Sequence, residues 1–134
     1  MFHNKMKADG NGTDRTRRRR SRHSWKAPAM KAFVLDKYSK KAVLRLADMP
    51  APTMRDDDVL VEVHAAAVNL LDSKIKTGEF KLILPYRPPF ILGHDIAGTV
   101  IKAGPKVKRF KVGDEVYARP RDHRIGAFAE FIAV

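Results

Sequence analysis

Four polar side chains stand close to one another in chain order and carry the chemistry this sequence has to offer. Asn69 and Asp72 lie three residues apart in Val59–Gly78, VLVEVHAAAVNLLDSKIKTG, and His94 and Asp95 are adjacent in ILGHDIAGTV. An amide, two carboxylates and an imidazole can hydrogen-bond a polar ligand, orient one another or shift a proton. Their positions follow from the elements around them. Val59, Val61 and Val63 alternate with Leu60, Glu62 and His64, the period-2 pattern of a half-buried strand. Asn69 suits a helix N-cap, with Asp72 at the third helical position in a variant of the capping box. The helix is expected from Leu70 to about Thr77, closed by Gly78 where a positive φ is needed. Asn69 then sits at a strand-to-helix joint, and the chemistry is expected there. The plain alternatives are that Asn69 and Asp72 only cap the helix and that His94 is a satisfied histidine beside the Gly93 turn.

Other polar runs read differently. Asp56, Asp57 and Asp58 are consecutive. Neighbours on an extended chain point to opposite faces, so they cannot converge on one ion alone, and a solvated turn is expected. There is no cysteine, which excludes disulfides, thiol nucleophiles and cysteine-ligated zinc or iron–sulfur sites.

The chain of 134 residues carries a net charge of +12. Residues 1–29 hold nine Lys/Arg against two Asp, so more than half of the excess lies in under a quarter of the chain. The run Arg17–Arg20 and the glycines at 10 and 12 mark residues 1–29 as a disordered basic tail, with Met30 as an alternative natural start. A nucleic-acid or acidic-surface tether and an organelle-targeting segment are the competing readings of that tail. No stretch approaches the roughly 18 apolar residues of a membrane span, and no apolar core precedes a small-residue cleavage site. A cytoplasmic protein without membrane contact is the expectation.

Residues 30–134 are expected to form one domain. MKAFVL and the residues after it suit a strand, Lys40-Lys41 a turn, and Ala42–Ala47 a second strand. The prolines of Met49–Met54 keep that segment extended. Ala65–Ala67 narrow the strand's profile, which leaves room for something large to pack close by. Phe80–Phe90, FKLILPYRPPF, is an apolar, proline-rich loop expected to cover a pocket. Further strands are expected at Ile96–Ala103, with Gly98 where another backbone approaches, at Glu115–Ala118, and over Ala127–Val134; Arg119–Gly126 is a charged loop. The fold class is mainly β: a small, antiparallel, partly open barrel with one or two short helices.

Six segments, in order, resemble the N-terminal catalytic domain of the medium-chain dehydrogenase/reductase superfamily, a GroES-like barrel. They are MKAFVL, the Pro50–Pro52 spacing, VLVEVHAAAVNLLDSKIKTG, LGHDIAGTV, GPKVKRFKVGDEVYA and GAFAEFIAV. Within that superfamily the pattern is similar to the zinc-free quinone oxidoreductase branch. Zinc-dependent members carry a cysteine ligand where Asn69 stands and Gly-His-Glu where this chain has Gly93-His94-Asp95.

The resemblance implies a substrate-side domain for hydride transfer from NADP(H) to a quinone or enone, without zinc or any other metal. Such acceptors are electrophilic enough to react with positioning and hydrogen bonding alone. It implies catalytic roles for Asn69, Asp72, His94 and Asp95, with Asp95 either orienting His94 or purely structural, and pocket roles for Lys74 and Phe80. It also implies a Rossmann cofactor domain after this one. No glycine-rich strand-to-helix turn occurs in the sequence, so the expectation is a chain truncated before that domain and inactive alone. Such a chain would be prone to self-association or to pairing with a separate Rossmann-domain chain. The rival reading is a non-enzymatic GroES-like module whose basic tail contacts nucleic acid or a protein partner.

Overall fold

Alternation writes the first strand: Met30, Ala32 and Val34 turn inward while Lys31 and Phe33 face out. In the computed structural model, which describes residues 29–134, this is β1 (Met30–Leu35), and the basic tail falls outside the described residues but for Ala29. β1 pairs antiparallel with β2 (Arg45–Met49) on one side and β4 (Phe90–Ile91) on the other. A second sheet has the order β6-β5-β3-β7, from β3 (Val59–Ala67), β5 (Asp95–Ala103), β6 (Glu115–Ala118) and β7 (Phe131–Ala133), again antiparallel throughout. The sheets meet where Phe33 N–H donates to the Phe128 carbonyl and Ala32 bridges Ala129. The mainly β, partly open architecture expected from the pattern is the one observed.

The core lies against the inner face of the larger sheet, with Val59, Val61, Ile96, Val100, Ala127 and Ile132 buried together. Each valine and isoleucine among them contributes about 1.5–3 kcal/mol over leaving it in water. β3 and β5 approach so closely that a Cβ on Gly98 would lie 1.9 Å from the Glu62 carbonyl oxygen, which is why that strand position is glycine.

Several local expectations change. β2 begins three residues later than Ala42, because the turn extends through the Ala42 N–H bond to the Ser39 carbonyl and Met49 pairs with Met30. Leu60 is as buried as its valine neighbours, so the start of β3 is covered on both faces and alternation sets in only after Val61. Ala65–Ala67 are exposed, with nothing large packed on them. The proline loop does not cover a pocket with its apolar tip: Leu82 is 95% and Ile83 71% exposed. It is tied down further along, where the Tyr86 hydroxyl donates to the Asp122 carbonyl and the Tyr38 hydroxyl to the Tyr86 carbonyl. Burial first, then the nearby Asp122, pushes the Tyr86 phenol up to about 12.

The aspartate run departs most. Asp56 and Asp57 are exposed in a turn, but Asp58 is only 3% exposed. Its carboxylate accepts from Arg124 Nη1 and Nη2, both at 2.6 Å, and from the Arg55 backbone N–H at 2.7 Å. The Arg124 hydrogen bonds hold Asp58 below the usual carboxylate range against the opposing effect of burial. A partner 66 residues away leaves no mark on the local pattern. The charged loop carrying Arg124 contains a short 3-10 helix, Asp122–Arg124.

Candidate functional site

β3 runs out at Ala67, and two residues later Asn69, with extended backbone (φ −100°, ψ 151°), starts α1 (Leu70–Thr77). The capping box expected from the spacing is complete. Asn69 Oδ1 accepts from Leu71 N–H at 2.9 Å, and Asp72 Oδ2 accepts from Asn69 N–H at 2.8 Å. Gly78 closes the helix at φ 87°.

Tertiary folding adds two bonds that spacing does not contain. Asn69 Nδ2 donates to Asp95 Oδ2 at 3.0 Å. His94 Nδ1 lies 2.6 Å from Asp72 Oδ1, with the two side chains 0% and 2% exposed. A carboxylate only accepts, so the proton of this bond resides on Nδ1. The four residues form one chain of contacts, Asp95–Asn69–Asp72–His94. Of the two aspartates it is Asp72 that holds His94, while Asp95 holds Asn69. The Asn69 amide is thereby oriented from both ends, its oxygen by a backbone donor and its nitrogen by a carboxylate. One N–H of Nδ2 is left over, on a half-buried residue. His94 Nε2 is buried without a hydrogen-bond partner among the described residues.

Lys74 and Phe80 are not brought to this network. Lys74 Nζ stands 5.8 Å from the Phe80 ring centroid and 3.9 Å from Glu79 Oε2, so the two residues contact each other at the far end of the helix.

Among the described residues no three His, Cys, Asp or Glu side chains group as metal ligands. His94 Nδ1 is engaged by Asp72, and the Asn69 amide by the helix start and Asp95.

Two open grooves flank the exposed end of β3. One, of about 640 Å³, runs between the sheets along Phe33, Val43, Leu46, Val63, Val68 and Phe128. The other, of about 610 Å³, is floored by Ala65–Ala67, Ile96 and Ala97 and edged by Asp95, Tyr117 and Arg119. Of the six expected site residues, Asp95 borders this second groove. Tyr117, Ala97 and Ala65 are cross-strand partners in one row, so their side chains share a face. Tyr117 is 91% exposed. Sequence reasoning passed over Tyr117 and Arg119; the signal was the outward phase of Glu115 and Tyr117 in a strand otherwise inward at Val116 and Ala118.

The model of the alcohol dehydrogenase GroES-like domain matches residues 55–134. A chloroplastic NADPH-dependent alkenal/one oxidoreductase of Arabidopsis thaliana is 39% identical over 112 residues, covering 78% of this chain and 29% of the relative. The mitochondrial NAD(P)H oxidoreductase RTN4IP1 of Homo sapiens is 36% identical over 131 residues, covering 87% of this chain and 33% of the relative. Among solved structures, the quinone oxidoreductase of Coxiella burnetii superposes with a TM-score of 0.70 at 34% identity, over 78% of this chain and 34% of that one. The chain thus spans about a third of the length of the relatives it matches.

Proposed function

The chain belongs to the alcohol dehydrogenase GroES-like domain family, and from that premise we propose that it is the substrate-side domain of a zinc-independent, NADP(H)-dependent oxidoreductase acting on quinones or conjugated enones. The observation that carries the reading is the oriented amide at the strand-to-helix joint. Oδ1 is held by Leu71 N–H and Nδ2 by Asp95, and the one remaining Asn69 N–H is the donor proposed for a substrate carbonyl oxygen. That bond strengthens as negative charge gathers on the oxygen, which is the differential stabilisation catalysis needs. Asp72 and His94 position the joint from behind, and Asp95 fixes the amide. The alanine-floored groove beside Asp95 is open and mainly apolar, which suits a conjugated acceptor.

A bound nicotinamide cofactor supplies the hydride in this chemistry. Residues 1–134 contain no glycine-rich phosphate cradle, so their share of the site is the substrate side. By themselves they are proposed to be inactive. The names of the relatives support the cofactor and the acceptor class: one is called NADPH-dependent and acts on alkenals and alkenones, another is a quinone oxidoreductase. Relatives carrying chloroplastic and mitochondrial names leave the compartment open; among the described residues no helix is long and apolar enough to cross a membrane.

The test is complementation. The chain is mixed with, or fused to, the cofactor-binding portion of the Arabidopsis relative, and NADPH consumption is followed with a quinone and with an alkenal. Consumption that survives a zinc chelator and falls about tenfold or more in Asn69→Ala is expected, from loss of one transition-state hydrogen bond. An Asn69→Ala fusion as fast as the parent would remove the reading, as would activity that needs added zinc.

A further inference from the structure

Arg119 borders a second, smaller cleft of about 230 Å³. Seven arginines and eleven lysines lie in residues 30–134. Four of those arginines, Arg55, Arg119, Arg121 and Arg124, line this one cleft, and no lysine does. A generally basic surface would draw on both types. The planar guanidinium fork differs from an ammonium in matching two oxygens of a phosphate or carboxylate at once.

The carboxylates nearby are largely committed. Asp58 is saturated by Arg124 and the Arg55 backbone, and Asp122 takes Arg119 at 2.9 Å. Asp57 also lines the cleft and acts on Arg124 electrostatically. The surplus of positive charge resides on the exposed Arg55 and Arg121, whose guanidinium groups make no hydrogen bond or close ion pair among the described residues, Arg55 acting on Asp58 only through its charge. Arg124 is held rigid by its bidentate pair with a buried partner, which gives the cleft a fixed floor.

We propose that this cleft binds a small oxyanion of the phosphate or phosphate-monoester class, with Arg55 and Arg121 as the free donors above the Asp58–Arg124 pair. Its volume accommodates several waters, each taking about 30 Å³, and so a phosphate group, but not a nucleic-acid duplex. Asn69, Asp72, His94 and Asp95 do not line this cleft, although Arg119 borders both it and the alanine-floored groove.

The probe is inorganic phosphate, titrated into the full chain and followed by amide chemical shifts, with chloride at matched ionic strength as the reference. Saturable shifts at residues 55, 119 and 121–124 are expected. The double variant Arg55→Gln/Arg121→Gln, which leaves both observed ion pairs in place, should weaken binding at least about tenfold, the effect of losing two charge-assisted contacts. Lys40→Gln/Lys41→Gln removes the same charge from an exposed turn that does not line the cleft and should leave affinity within about twofold, because exposed charges outside the cleft are screened. Asp57→Asn removes an opposing carboxylate and should tighten binding, a gain that a misfolded variant cannot mimic. Equal loss in the two double variants overturns the proposal, as do unsaturable shifts, shifts confined to residues 1–28, or no gain in Asp57→Asn.

Discussion

Asp72 is the residue whose removal tests the site most directly, because each of its oxygens serves a different group. Oδ2 caps the helix through Asn69 N–H, and Oδ1 holds His94 Nδ1 in a fully buried contact. In Asp72→Ala the cap bond is lost, at about 1 kcal/mol. The His94 donor is also stranded away from water, at about 1–3 kcal/mol, and the small cavity adds to that. About 3–5 kcal/mol in all is a large part of the 5–15 kcal/mol typical of a domain. Asp72→Asn keeps one acceptor and offers an N–H₂ to the other partner. His94 can meet that donor by moving its proton to Nε2, so the milder variant should cost about 1–2 kcal/mol, the loss of charge assistance. Urea unfolding followed by far-UV circular dichroism gives each value, with an unchanged slope confirming that only stability moved. Because the two side chains share one bond, Asp72→Ala/His94→Leu should cost at least about 1 kcal/mol less than the sum of its parts. Additive costs, or an alanine variant within about 0.5 kcal/mol of the parent, a surface-like effect, would refute the network.

The Asp58–Arg124 pair should make stability fall in acid. Asp58 is held below its ordinary range by Arg124, so its contribution is complete above the unfolded carboxylate value of about 3.9 and is lost as pH drops through the lower folded value. The urea midpoint of the parent should therefore fall between about pH 4 and pH 2 more steeply than that of Asp58→Asn, and parallel curves would count against the pair. Gly98→Ala places a methyl group 1.9 Å from a backbone oxygen of the neighbouring strand, where nothing flexible can yield. A loss of about 3 kcal/mol or more, or failure to fold, is expected, and a melting temperature equal to the parent's would contradict the close β3–β5 approach. Val68, Leu70, Leu82 and Ile83 are all strongly exposed, and exposed apolar side chains favour association where they adjoin, as Leu82 and Ile83 do in sequence. Sedimentation should show concentration-dependent oligomers that diminish in Leu82→Ser/Ile83→Ser, whereas a monomer at all concentrations would exclude that role.

Much of the scaffold is legible one residue at a time. The limits of α1, its reciprocal cap and its glycine stop follow from Asn69, Asp72 and Gly78, because capping joins groups three residues apart and short spacings are visible in a string. The strand Glu115–Ala118 and the presence of a glycine at position 98 are equally local signals, although the backbone that meets Gly98 is that of Glu62 on β3. The expected membership of a GroES-like family also came from ordered local segments and is matched over residues 55–134.

Partner choice over long separations is what the string leaves undecided. Asn69 and Asp72 were visible as a cap, but nothing local says that their free atoms meet Asp95 and His94, 26 and 22 residues on. The same holds for Asp58, which spacing assigned to solvent and which a loop arginine draws into the interior. Ala65–Ala67 and the proline loop erred the other way, since small or apolar side chains specify that they can be covered and not that anything arrives to cover them. Local sequence thus sets where the joint lies and how its helix begins. The clamping of the joint's amide from two sides belongs to tertiary packing, because β5 must first lie against β3 to bring His94 and Asp95 within reach.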